Sequence, residues 1–153
     1  MQLSDVFLHL PEGDFKQLLR SVSMGKLKTY QLFERFKTRL HLHKLNTETL
    51  RNAAPRLRER LAEHDEELAT DLSQAILVSH LDMIVAVLNF LGIPHDEGFF
   101  AKEVDATPYL TEGWQSRVFE QFRNDYSLQL LTFYINHLTL ELAKSQELFA
   151  PAA

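Results

Sequence analysis

The sequence predicts an all-α protein, a bundle of about five or six helices around a central, largely buried apolar helix at about residues 72–91. Apolar residues recur with the helical period, and no stretch alternates apolar and polar residues for long enough to form a sheet. The 45% apolar and 24% charged residues are typical of a globular chain. A domain of this length buries roughly 68–70% of the unfolded chain's surface, so one core is sufficient.

The N-terminal region is expected to contain three helices. Pro11, Gly13 and Asp14 mark a turn before the first, which runs over residues 14–24 and ends at Gly25. The second is predicted over residues 29–44. Pro55 suits the first position of the third, in which four residues at spacings of four, three and four form a stripe: Leu57, Leu61, His64 and Leu68.

The C-terminal region is expected to contain the central helix and at least two more. A capping-box pattern at Asp71 predicts the start of the central helix. Its end is predicted at residues 92–94, Gly-Ile-Pro, because Gly92 suits a positive φ and Pro94 cannot continue a helix. Thr111 can cap a helix over residues 111–125. The last helix is predicted over residues 127–149.

The composition also bears on the compartment. The chain has no cysteine, which excludes disulfides, thiolate catalysis and cysteine-based metal sites. The N-terminal residues lack the basic region and the long apolar region of a signal peptide, so no signal peptide is expected. Residues 75–92 approach membrane-spanning length, but Asp82 lies in their middle, where a carboxylate costs about 2.5–3.5 kcal/mol in a bilayer. We therefore expect a buried core helix, a cytoplasmic protein and no membrane partner.

Charge is unevenly distributed along the chain. Residues 1–61 carry twelve basic and six acidic residues, a net charge of +6, whereas residues 62–153 carry four basic and fifteen acidic residues, a net charge of −11. One helical domain over residues 1–153 is the main prediction, and a division into a basic N-terminal region over residues 1–61 and an acidic bundle over residues 62–153 is the alternative. Such asymmetry indicates an anionic partner for one half or docking of the basic half onto an acidic one.

The tripeptide His-Asp-Glu occurs twice. At residues 64–66 it is predicted to lie within a helix, where consecutive side chains point about 100° apart and cannot converge on a metal ion. The favoured interpretation is an acidic surface with a half-buried His64.

The second tripeptide, at residues 95–97, lies in the loop segment GIPHDEGFF. Asp96 is expected to cap a short helix over residues 97–104, with Phe99 and Phe100 packed under the loop. Two alternatives remain at this point: docking of a partner through Phe99 and Phe100, or binding of a divalent cation by the loop.

Two internal histidines form the other candidate site. His137 and Glu141 share one face of the last helix, and His80 lies in the central helix, so packing of the two helices would assemble a metal site. The Glu-x-x-His pairs of di-metal bundles are absent, and structural histidines are therefore favoured. No nucleophile elbow, phosphate-binding glycine loop or HExxH helix occurs. We predict no catalytic residue and no cofactor, and an enzyme is the less favoured interpretation.

Basic residues of the second predicted helix are candidates for contacts with anions or nucleic acid. They are Lys28, Arg35, Lys37, Arg39 and Lys44. Such residues beside an apolar stripe also commonly extend over it in structural roles.

These observations favour a small interaction or regulatory protein that acts through protein–protein contacts, with itself as a homodimer or with another protein. The expected interface is the apolar stripe of the Pro55 helix or the last helix. The first alternative is a nucleic-acid-binding regulator that uses the basic N-terminal helices. The second is a metal-dependent helical-bundle enzyme built on His80, His137 and Glu141.

Overall fold

The computed structural model describes residues 1–29, 52–99, 105–145 and 147–151, and regular secondary structure within these ranges is helical. The helices are α1 (Leu3–Leu8), α2 (Glu12–Arg20), α3 (Met24–Thr29), α4 (Ala54–Ala62), α5 (Glu66–Ser79), α6 (Leu81–Leu91), α7 (Trp114–Phe122) and α8 (Leu128–Glu141). The all-α prediction is confirmed. The helix predicted over residues 29–44 lies, beyond its first residue, outside the described ranges.

The chain forms two compact units, one over Gln2–Ser79 and the other over His80–Ala153 together with Met1. The N-terminal unit carries twelve basic and eleven acidic residues, a net charge of +1, and residues 80–153 carry four basic and ten acidic residues, a net charge of −6. The structural boundary therefore lies after Ser79, beyond the change of charge at residue 61. The acidic run around residues 63–71 belongs to the unit that also holds most of the basic residues.

The predicted central helix is two helices. His80 leaves helical geometry with φ −132° and ψ 40°. The hydroxyl of Ser79 donates to the carbonyl of Ala75 at 2.7 Å and accepts from the amide of Ser23 at 2.8 Å. The bond to Ala75 is local and of a kind that bends helices, whereas the bond from Ser23 is a tertiary contact. The helical pattern restarts where Ile84 N–H donates to His80 O at 3.1 Å. The apolar segment is largely buried, as predicted, but it is not continuous.

The first of these two helices also begins earlier than predicted. The helix α5 starts at Glu66, and Asp71 is a buried residue inside it rather than its cap. Among the helices of the described ranges, none alone is long and apolar enough to cross a membrane. The helices α5 and α6 meet that length and composition only when taken together across His80.

The N-terminal unit is built on aromatic and leucine packing. Helix α1 packs against α4 and α5, and α3 packs against α5. The rings of Phe7 and Phe15 meet edge to face at 6.1 Å, and the guanidinium of Arg58 lies over Phe15 while donating to Leu10 O at 3.0 Å. Leu57 and Leu61 are fully buried, so the Pro55 helix turns its apolar stripe into its own unit.

The C-terminal unit packs α7 against both α6 and α8. Helix α8 buries residues on most of its circumference, which include Leu131, Phe133, Ile135 and Leu138. It begins at the Ser127 cap, whose hydroxyl accepts from Leu130 N–H at 3.3 Å. The helix ends at Glu141 rather than near residue 149: Lys144 takes a φ of 51°, and the described residues after it, 145 and 147–151, are non-helical.

Candidate interaction surfaces and sites

The segment GIPHDEGFF forms a tight turn. Asp96 and Phe99 pair as an antiparallel bridge, with N–H to O=C distances of 2.8 and 2.9 Å in the two directions. The two residues between them have positive φ, 50° at Glu97 and 94° at Gly98, as in a type I′ turn. The prediction that Asp96 caps a helix is wrong, because its main chain bonds to Phe99 instead.

His95 holds this turn in place. Its Nδ1 accepts from Gly98 N–H at 3.0 Å, and its Nε2 lies 2.7 Å from Asn89 Oδ1. Since Asn89 Oδ1 can only accept a hydrogen bond, Nε2 is the donor to Asn89, while Nδ1 is the acceptor from Gly98. Both ring nitrogens are therefore used within the unit, which gives the histidine of the second tripeptide a structural role.

The turn leaves a large apolar side chain exposed. Gly98 lies against α6, where an added Cβ would stand 3.3 Å from Ile84 Cγ2, while the next residue, Phe99, is 49% exposed. The prediction that Phe99 packs under the loop is wrong for this reason. Phe100 lies outside the described residues.

Two further large apolar side chains of the C-terminal unit are exposed, Phe90 at 42% and Leu128 at 49%. Phe90 meets the ring of Phe122 edge to face at 5.6 Å, and the ring of Phe122 lies 6.1 Å from that of Tyr126. An aromatic row thus extends from the core to the surface. We refer to Phe90, Phe99 and Leu128 as the exposed apolar residues.

The three candidate metal ligands, His80, His137 and Glu141, do not form a site. His137 is largely buried and stacks on Phe133 and Tyr134, at centroid distances of 6.1 and 6.3 Å, and burial lowers the pKa of His137 to about 4. Glu141 is exposed at the end of α8, and His80 caps α6. In the described ranges of the chain, no group of three His, Asp or Glu residues could hold a metal ion.

The first His-Asp-Glu tripeptide is a turn between two helices and does not lie inside one. Helix α4 ends at Ala62, and His64 is exposed with a φ of 60°. Asp65 explains why a helix starts here: its Oδ1 accepts from Leu68 N–H at 3.0 Å, and its Oδ2 pairs with Arg60 at 2.6 Å. The predicted stripe through His64 is wrong because the cap at Asp65 interrupts it.

This turn also touches α1. Ser4 N–H donates to Glu66 Oε1 at 3.1 Å, and Ser4 Oγ lies 3.3 Å from His64 Nδ1. Serine, histidine and carboxylate are the residue types of a nucleophilic triad. Ser4 is fully buried, however, so a substrate cannot reach its hydroxyl, and the contacts fasten α1 to α5.

The predicted anion contacts fall outside the described structure. Residues 35, 37, 39 and 44 lie in the undescribed range, as does the side chain of Lys28. The structure shows instead a groove of about 470 Å³ beside α2, lined by Gly13, Lys16, Gln17, Arg20, Asn52 and Pro55. Its two cations are four residues apart and share one helix face, a spacing visible in the sequence but not singled out there.

No protein-family model, curated protein or solved structure matches this chain.

Proposed function

We propose that the protein is a small helical interaction or regulatory protein, that it acts in the cytoplasm through protein–protein contacts, and that it associates with itself as a homodimer. The observation that supports this proposal is the exposure of Phe90, Phe99 and Leu128 in one compact unit. Aromatic residues are enriched in the buried centres of interfaces and contribute much of their binding energy.

The exposed apolar residues offer enough surface area to contribute several kcal/mol to association when a partner covers them. A phenylalanine buries about 150–250 Å² when covered, so a half-exposed ring leaves roughly 100 Å² in water. At about 25 cal/mol per Å², covering it contributes roughly 2.5 kcal/mol. These residues replace the Pro55 helix as the proposed interface, because Leu57 and Leu61 are buried within their own unit.

Light scattering of the wild-type chain and of a Phe99→Ser, Leu128→Ser double variant tests the proposal. We expect a concentration-dependent dimer for the wild type and at least tenfold weaker association for the variant. Gln121→Ser, an exposed polar residue of the same unit, is the matched control and should associate like the wild type. A wild-type monomer at millimolar concentration would contradict the homodimer.

The groove beside α2 supports a second candidate function, contact with nucleic acid through phosphates. Lys16 and Arg20 line it, although Lys16 also lies 3.7 Å from Glu12 in an exposed ion pair. If about six phosphates are contacted in total, the logarithm of the affinity should fall with the logarithm of salt concentration with a slope of roughly −5.

DNA binding at two salt concentrations tests this function with a Lys16→Gln, Arg20→Gln variant. Removing two phosphate contacts should make the slope shallower by about two. Lack of DNA retention at low salt would eliminate the candidate.

A further inference from the structure

The end of the described chain lies in a polar seat on α7 and α8. The amide of Asn136 makes two bonds to one residue of this tail: its Nδ2 donates to Phe149 O at 3.0 Å, and its Oδ1 accepts from Phe149 N–H at 2.6 Å. Gln115 Nε2 donates to Glu147 O at 3.0 Å. We call Gln115, Phe119, Asn136 and Thr139 the tail seat, and residues 147–149 the tail.

The hydrogen bonds of the tail seat are made to main-chain atoms of the tail. Asn136 bonds to an N–H and a C=O of one residue, as the main chain of a neighbouring β-strand would. Gln115 is held in position by a second bond, from its Nε2 to Thr139 Oγ1 at 2.7 Å, and Thr139 in turn donates to Ile135 O at 2.8 Å. The three bonds to the tail would form with almost any extended segment.

One side chain of the tail is selected as well. The ring of Phe149 lies 5.3 Å from the ring of Phe119, and the guanidinium of Arg123 lies over Phe119 at 5.3 Å. The seat therefore fits an extended segment that carries an aromatic side chain at the residue bonded to Asn136. Favourable ring–ring geometry adds to the apolar area covered.

Two features bear on release of the tail: the hydrogen bonds that Asn136 would lose and the backbone strain at Lys144. Asn136 is 1% exposed with the tail in place, so departure of the tail leaves a recessed amide with neither of its bonds. The turn into the tail passes through Lys144 at φ 51°, a conformation that residues other than glycine adopt at a cost. Tail release would let Lys144 leave this conformation and would open the donor and the acceptor of Asn136 to another main chain or to water.

We propose that the tail seat is a binding site for an extended segment of a partner protein that carries an aromatic residue, and that the chain's own tail is a displaceable internal competitor. The inference rests on the proposed function in protein–protein contacts, and it adds the chemistry of the partner. It uses residues other than the exposed apolar residues, so the two proposals are tested by different variants.

The probe is a fluorescent peptide with the sequence of residues 145–151, SQELFAP, added to full-length protein. In a Phe149→Ala chain the internal competitor is weakened, and we expect saturable binding of the peptide. The wild-type chain should bind it at least tenfold more weakly, because a tethered tail competes at an effective concentration of the order of millimolar. A peptide with alanine in place of its phenylalanine should also bind at least tenfold more weakly.

Variants of Asn136 separate a recognition site from a simple structural strap. In the Phe149→Ala background, Asn136→Ala should weaken peptide binding at least tenfold. Asn136→Asp should also weaken it at least tenfold, because it keeps the acceptor but places a buried carboxylate oxygen against the carbonyl oxygen that Nδ2 now contacts. Trypsin cleavage after Lys144 reports release of the tail, and added peptide should accelerate it in the wild-type chain. Circular dichroism should show that both variants keep their helices.

Three results would overturn the inference. The first is a folded Phe149→Ala chain that does not bind the peptide at millimolar concentration. The second is peptide binding that is unchanged by Asn136→Ala. The third is a wild-type dimer that Phe149→Ala abolishes, since this would assign the occupant to a second copy rather than a different partner. A dimer that depends on Phe99 and Leu128 in a chain without peptide binding would retain the proposed function and reject only the tail seat.

Discussion

Replacement of Gly98 by alanine should destabilise the C-terminal unit. Gly98 has a φ of 94°, and an added Cβ would meet Ile84 Cγ2 at 3.3 Å, Leu81 Cδ2 at 3.5 Å and Val85 Cγ2 at 3.7 Å. The positive φ costs an L-residue about 1–2 kcal/mol. Displacing the turn would also weaken the bond from Gly98 N–H to His95 Nδ1, at about 0.5–1.5 kcal/mol. We expect a total loss of about 1–3 kcal/mol.

Gly13→Ala is the matched control, since it makes the same chemical change in a different setting. Gly13 lies in the first turn of α2, its φ is not positive, and an added Cβ has no atom within 4 Å. Alanine there should stabilise the N-terminal unit by about 0.4–1 kcal/mol, because it restricts the unfolded chain and favours the helix.

Chemical denaturation of both variants, followed by circular dichroism, measures the two effects. A change of 1 kcal/mol corresponds to a shift in melting temperature of about 2–4 °C for a chain of this size, so thermal unfolding provides a second readout. Gly98→Ala with wild-type or higher stability would refute the type I′ turn and its packing against α6. A Gly13→Ala loss as large as the Gly98→Ala loss would refute the distinction between the two sites.

Two further predictions concern His137 and Asp65. Burial lowers the pKa of His137 to about 4 in the folded state, whereas in the unfolded chain it is about 6.5. The unfolded chain therefore binds a proton first as pH falls, and the free energy of unfolding should decrease by at most about 3 kcal/mol between pH 6.5 and pH 4. Urea titrations at several pH values measure this decrease, which His137→Gln should make smaller. Asp65→Ala removes both the cap on Leu68 N–H and the ion pair with Arg60, so the free energy of unfolding should fall by about 1–2 kcal/mol. Asp65→Asn removes the ion pair but keeps the cap, and should lower it by less than about 1 kcal/mol in the same denaturation assay. Equal losses for the two Asp65 variants would show that the cap contributes nothing.

Helix breaks were the least predictable aspect of the fold. The apolar period runs without interruption through Ser79 and His80, so it predicts one helix where the structure has two. At the break, Ser79 accepts a bond from Ser23, which is distant in the sequence. A tertiary contact of this kind leaves no periodic signal along the chain.

The candidate sites show a similar division. The exposure of Phe99 follows from a turn whose Glu-Gly centre is a recognisable signal, since glycine suits a positive φ. The seat around Asn136 had no such signal, because a lone asparagine in an apolar helix is compatible with either solvent exposure or a buried partner. The failure of His80, His137 and Glu141 to assemble likewise depends on where each helix ends.

Local periodicity and composition are enough to predict the helical class, most of the apolar faces that form the core, and the absence of cysteine chemistry. The folded chain settles where helices stop, which of the two His-Asp-Glu tripeptides becomes a helix cap and which a β-turn, and where the tail lies. The helix cap and the β-turn depend on short-range bonds, of Asp65 to Leu68 and of Asp96 to Phe99, which the apolar period does not reveal. The attachment of α1 and the position of the tail depend on bonds between separate segments, those of Ser4 to Glu66 and of Asn136 to Phe149.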